Sequence, residues 1–260
     1  MRLFKYFSLF LILALPAWGA DFSTLADGGV HKVASVVDGD TVVLDNGKQV
    51  RLVGIQAPKL PLDRLNFKPW PLGDEAKAHL KSQILGQDVH LHLGTTAQDR
   101  HGRILAHVVR KSDGLWVQGD LLRRGLARVY TFPDNRKLGA DMLALERQAR
   151  KEGLGLWGLP YYAIRSAYTV RHDVGTFQVV EGKVFDVARV RKRIYLNFSA
   201  DWRHDFTIQI DHKNEGLFTA QGIDLTQLKG KRVRVRGWVK QKNGPLIQLD
   251  HPERLEIIEP

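Results

Sequence analysis

The sequence predicts a mainly β fold with helices (α+β): a small five-stranded barrel with three helices packed against it, then a second small β-barrel or curled sheet. Three observations carry this. Short β-rich runs recur in the first half at Val33–Val37, Thr41–Leu44, Gln49–Ile55, Val89–Leu93 and Arg103–Val109. Three stretches there have helical spacing. After Pro160 the strand signals resume with hardly any helix between them.

In chain order, Asn46-Gly47 is a strong tight-hairpin signal between the second and third strands. Pro58, Pro61, Pro69 and Pro71 force an irregular loop. A helix begins at Gly73-Asp74-Glu75, with acids in its first turn and Ala76, Leu80 and Ile84 as its inward stripe, and Gly86 ends it. Val117–Arg124 is a short helix stopped by Gly125. Arg136–Lys151 is a longer one with Leu138, Met142, Leu145 and Ala149 inward. A connecting segment, 159–175, leads to strand signals at Phe177–Ala188, Arg193–Phe198, Phe206–Ile210, Arg232–Lys240, Leu246–Leu249 and Arg254–Ile258. Short strands at this density fit a second small barrel. By eye no internal repeat stands out.

Composition bounds the function. The 260-residue chain carries a net charge of +11, its surplus spread over both halves, which favours a partner rich in phosphate or an anionic surface. With no cysteine there is neither a disulfide framework nor a lipid-anchored cysteine. Arg2 and Lys5 precede an apolar run, Phe7–Leu15, and then Pro16 and Ala17-Trp18-Gly19-Ala20, the pattern of a secretory signal over residues 1–20. The run is too short to span a bilayer. The expectation is an exported protein, periplasmic or extracellular, without a stable membrane anchor and monomeric.

The most informative stretch is V-V-D-G-D-T-V-V-L-D-N-G-K-Q-V-R-L-V-G-I-Q-A-P, Val36 to Pro58. Asp38 and Asp40 share a tight turn, and the returning strand carries Arg51 among apolar residues. Carboxylates facing an arginine across a hairpin can hold a divalent cation and a phosphate together. His79, His90, His92 and His107 show no metal-ligand spacing and are read as structural or exposed.

D-G-D-T, R-L-V-G-I-x-A-P, the Asp99–Arg103 segment D-R-H-G-R and the G-L-A-R-V to G-L-W tail together resemble the staphylococcal-nuclease-like (thermonuclease) family over residues 29–158. The resemblance implies an OB-type five-stranded barrel with three helices and Ca²⁺-dependent hydrolysis of DNA and RNA. By position it implies that Asp40 ligates the metal, that Asp38 supports the loop, and that Thr41 lies near the ion through its carbonyl. Arg51 would grip the phosphate, and Arg103 would stabilise the pentacoordinate transition state. Arg100 and His101 stand where the family has side chains that touch nucleotide phosphate. Two positions depart from the pattern. Gln56 replaces a second carboxylate ligand, leaving a neutral oxygen for Ca²⁺, and Lys59 replaces the glutamate that activates water. Asp63 or Asp74 could stand in as the base.

In the second half, residues 176–260, two basic-aromatic stretches stand out. Arg189, Arg191, Lys192 and Arg193 lie between Phe185, Tyr195 and Phe198. Farther on, strand alternation puts Arg232, Arg234, Arg236 and Trp238 on one face, suited to tracking a phosphate backbone and stacking a base. The pattern resembles a further OB-like module. Three readings stay open: an attenuated Ca²⁺-dependent nuclease, a non-catalytic nucleic-acid-binding protein using the same groove, and an envelope interaction protein.

Overall fold

The computed structural model describes residues 20–258, so nearly all of the expected signal segment lies outside the described residues. The first unit is a closed barrel of β1 (Ala26–Asp38), β2 (Thr41–Leu44), β3 (Gln49–Leu52), β5 (Asp88–Gln98) and β6 (Ile104–Arg110), in the order β1-β2-β3-β6-β5. All neighbours are antiparallel except β3 and β6. Three helices cover it: α1 (Gly73–Ile84), α2 (Val117–Arg123) and α3 (Gly139–Lys151). The expected inward stripe of α1 is buried at Ala76, Leu80 and Ile84, against barrel residues such as Val33, Leu52 and Leu91.

Two local expectations need correction. The Gln49–Ile55 run is not one strand. Gly54, at φ +82°, turns the chain out of the barrel, so that β4 (Ile55–Gln56) pairs with β7 (Arg128–Val129). A side chain at Gly54 would collide with Met142 of α3. The third helix starts at Gly139 because Leu138, at φ 61°, sits in the left-handed region and is only half-buried.

The second unit contains β8 (Arg165–Ser166), β9 (Phe177–Lys183), β10 (Asp186–Val190), β11 (Arg193–Asn197), β12 (Thr207–Asp211), α4 (Glu215–Thr219), β13 (Arg232–Trp238), β14 (Lys240–Lys242), β15 (Gly244–Leu249) and β16 (Leu255–Ile258). Its two sheets, β10-β11-β12-β15-β14 and β16-β13-β9-β8, enclose a core that includes Ile194, Leu196, Ile208, Phe218, Val233 and Ile247. The expected linker is therefore partly built in, since β8 pairs with β9.

Short bends connect β9 to β10 and β13 to β14, and β9 pairs with β13. Treating each bent pair as one strand gives the strand succession of the first barrel. It includes the parallel pair, here β12 and β15, and a helix between the third and fourth strands. The chain is thus a topological duplication that no residue repeat discloses.

The two units meet through buried polar contacts. Arg236 of β13 is 1% exposed and pairs with Glu146 of α3 at 2.9 Å and with Glu256 of β16 at 2.8 Å. Arg150 of α3 reaches Glu256 at 2.7 Å. Thr131 and His251 contact each other at 2.8 Å, and the Tyr162 hydroxyl donates to the Pro71 carbonyl.

Candidate active site

The D-G-D-T turn is set by close packing. A Cβ on Gly39 would lie 2.7 Å from Ala57 Cβ and 2.8 Å from Ala76 Cβ, so only glycine lets the turn settle against α1. That seat buries Asp40 completely and Asp38 almost so. The Asp40 amide donates to Asp38 Oδ1 at 3.0 Å, and Ala57 N–H donates to Asp40 Oδ2 at 2.7 Å. Thr41, opening β2, is paired in register with Arg51 on β3.

Two cations converge on Asp40. Arg51 Nη2 lies 3.2 Å from Oδ2, and Lys59 Nζ lies 3.0 Å from Oδ2 and 3.2 Å from Oδ1. The same ammonium is 4.0 Å from Asp38. Burial alone would raise the Asp40 carboxyl, but Arg51 and Lys59 outweigh it and hold it below the ordinary range. Burial and the neighbouring Asp40 charge push Asp38 the other way. Lys59 thus fills the space between the two carboxylates that a divalent ion would need.

The remaining oxygen expected for Ca²⁺ is also committed. Gln56, 8% exposed on β4, accepts from Arg128 Nε at 3.0 Å and Nη2 at 2.7 Å. Burial pushes the Arg128 guanidinium down to about 10, leaving it charged at neutral pH. Among the described residues no group of three or more His, Cys, Asp or Glu is placed to hold a metal. The residues present do not fit a Ca²⁺ site: one side is occupied by an ammonium and the other by a guanidinium-bound amide. Asp63 and Asp74 are exposed and are not among the residues lining the cleft.

That cleft, about 700 Å³, is lined by Arg51, Lys59, Arg100, His101 and Arg103 on its cationic side. Arg51 also donates to the carbonyls of Leu52 and Ile55, both at 2.6 Å, which fixes its guanidinium at the cleft floor. Arg103 is half-buried and held by Asp99 at 2.7 Å. Arg100 and His101 are exposed at the rim.

Opposite them stands an aromatic wall that the sequence reading assembled only in part. Tyr130 packs edge-on to Phe132 and, tilted, against Phe177, and Phe177 packs edge-on to Trp238. Trp238 Nε1 donates to the Tyr130 hydroxyl at 3.2 Å. Phe132 is 51% and Trp238 46% exposed. The second unit therefore supplies part of the cleft.

The arginine strand β13 departs from expectation. Its alternation is as read, but the face is not a free cationic surface: its two ends, Arg232 and Trp238, are exposed, while Arg234 is half-buried and Arg236 fully buried. Arg236 is sealed against α3, and Arg232 and Arg234 are both engaged by Glu181 on β9. A buried guanidinium between two carboxylates is unavailable to a phosphate, so only Trp238 of the expected four reaches the cleft.

Comparison with known proteins agrees with this architecture. Residues 49–158 match the family described as staphylococcal nuclease homologue. The thermonuclease of Staphylococcus intermedius is 31% identical over 138 residues, 52% of this chain and 80% of that protein. The thermonuclease of Staphylococcus hyicus is 31% identical over 51% of this chain and 78% of its own length. The endonuclease YncB of Bacillus subtilis is 31% identical over 51% of this chain and 63% of its own. The chain belongs to the staphylococcal nuclease family and carries a nuclease-type domain, while these matches span only about half of its length.

Proposed function

We infer that the cleft holds a nucleic-acid strand and that Ca²⁺-dependent phosphodiester hydrolysis is attenuated here. The observation carrying this reading is the Lys59 ammonium 3.0 Å from Asp40. It places a fixed single positive charge beside the acidic turn, where Ca²⁺ would bring two, and puts a basic side chain in place of the carboxylate that would act as general base. Loss of such a base removes about 10²–10⁴-fold in rate. The cationic floor at Arg51 and Arg103 suits a phosphate, and the exposed faces of Phe132 and Trp238 suit an unstacked base. The N-terminal pattern supports export to the periplasm or beyond, and no helix among the described residues is long and apolar enough to cross a membrane. We take the protein to act as a monomer.

The test is binding and digestion of single-stranded DNA, duplex DNA and RNA, with Ca²⁺ or with chelator. Salt-sensitive binding indifferent to Ca²⁺, with cleavage that rises sharply only when Lys59→Glu is combined with Gln56→Asp, is the expected result. Vigorous Ca²⁺-dependent cleavage by the unaltered protein would sink the reading. Absence of binding at low salt would favour an envelope role instead.

A further inference from the structure

The topological duplication gives the second unit an outer face in the position the cleft occupies on the first. In barrels of this type the second and third strands, with the loops flanking them, form the surface that takes oligonucleotides or oligosaccharides. In the first unit those parts supply the Asp38–Asp40 turn, Arg51 on β3 and Arg103 just before β6. In the second unit they are the β10–β11 turn, β11 with β12, and the β14–β15 turn.

The chemistry there is cationic and aromatic. On β11, Ile194 and Leu196 are fully buried, which turns Arg193 and Tyr195 outward. Arg191 and Lys192 form the turn before it, with Arg191 held at φ 53°, and both are exposed. Lys213 follows β12, and a depression of about 950 Å³ joins these residues to Tyr195. Lys242 on β14 reaches across to Gln209 at 3.2 Å. Among the described residues Arg191, Lys192, Lys213 and Lys242 enter no ion pair, whereas the neighbouring carboxylates, Asp211 and Glu215, are taken by Arg193 and Arg189. Cations without a carboxylate partner beside one aromatic ring match the backbone-tracking and stacking combination of single-strand binders.

We propose that the β11–β12 face of the second unit is a second binding site for single-stranded nucleic acid, with Arg191, Lys192, Lys213 and Lys242 on phosphates and Tyr195 under a base. The site does not depend on the cleft. A strand long enough to reach both would be held by avidity, since the second contact becomes intramolecular.

The experiment is fluorescence anisotropy of a labelled oligothymidylate with the full chain over a salt series. The variants are Arg191→Ala/Lys192→Ala/Lys213→Ala and Tyr195→Leu, each made both alone and together with Arg100→Ala/Arg103→Ala in the cleft. All substituted positions are at least partly exposed, and unchanged thermal melting confirms folding. The triple variant is expected to lower the magnitude of the log–log salt slope by about 2, at roughly 0.7 per lost single-strand contact. Tyr195→Leu is expected to weaken binding about 5- to 150-fold at an unchanged slope, from the loss of one stacked base. Unchanged affinity and slope for both barrel variants in both backgrounds would overturn the proposal. So would these residues binding anionic phospholipid vesicles while leaving oligonucleotide untouched. If the cleft substitutions change nothing while the barrel substitutions weaken binding, the cleft reading fails and this one stands.

Discussion

The guanidinium of Arg236 and the carboxylate of Glu146, 90 positions apart in sequence, meet at 2.9 Å with both side chains almost wholly buried. Glu256 and Arg150 complete the cluster, which joins β13 and β16 to α3. Removing Arg236 leaves the buried Glu146 and Glu256 to share Arg150, one cation for two carboxylates at the centre of the cluster. Arg236→Leu is therefore expected to cost about 3–5 kcal/mol, read as a lower midpoint in urea unfolding. A cost below about 1 kcal/mol would mean that the interface takes in water when the arginine is lost.

Lys59 is expected to exclude divalent ions from the acidic turn. In Lys59→Ala, Asp38 and Asp40 keep only Arg51, and millimolar Ca²⁺ should raise the melting temperature by mass action, while the unaltered protein shows no shift. Equal Ca²⁺ responses in both proteins would contradict the assignment of that space to the ammonium.

His107 gives an acid sensitivity with a defined sign. It is 2% exposed beside Trp116, and burial lowers its pKa to about 3. The unfolded chain therefore takes up a proton near pH 6.5 that the folded chain refuses until about pH 3. The stability contributed by neutral His107 is fully present above pH 6.5 and is lost as pH falls towards 3. Unfolding free energies of the native chain and of His107→Phe, measured from pH 7 to 4, should diverge steadily across that window. Parallel curves would show that the ring is protonated without penalty.

Trp238 should matter to binding more than to stability. Its ring is 46% exposed and lies against Phe177 and Tyr130 at the mouth of the cleft. Trp238→Ala is expected to weaken single-stranded oligonucleotide binding by about 1–3 kcal/mol with little change in salt slope. A changed slope with unchanged affinity would place the strand elsewhere.

Much of the first barrel could be read from local pattern, because Ala76, Leu80 and Ile84 share a face by spacing alone and D-G-D-T with Arg51 lies within one hairpin. What could not be read is which surface a face meets. Strand alternation correctly put Arg232, Arg234 and Arg236 together, but alternation is blind to α3, which supplies Glu146 from the other unit. Gln56 and Arg128 are likewise 72 positions apart, and no spacing rule connects them. The sequence marks Lys59 only as standing where the family has a glutamate. That its ammonium pairs with Asp40 and comes within 4.0 Å of Asp38 is visible only in the side-chain geometry.

The buried Arg236–Glu146 contact also ties the two units to each other across a long stretch of chain. Glu146 lies 90 positions before Arg236, and each unit contains a parallel pairing between strands distant in sequence. Without β13, α3 carries a carboxylate with only part of its neutralising shell. The two units are thus electrostatically interdependent: α3 of the first holds a buried carboxylate whose full neutralisation needs a strand of the second.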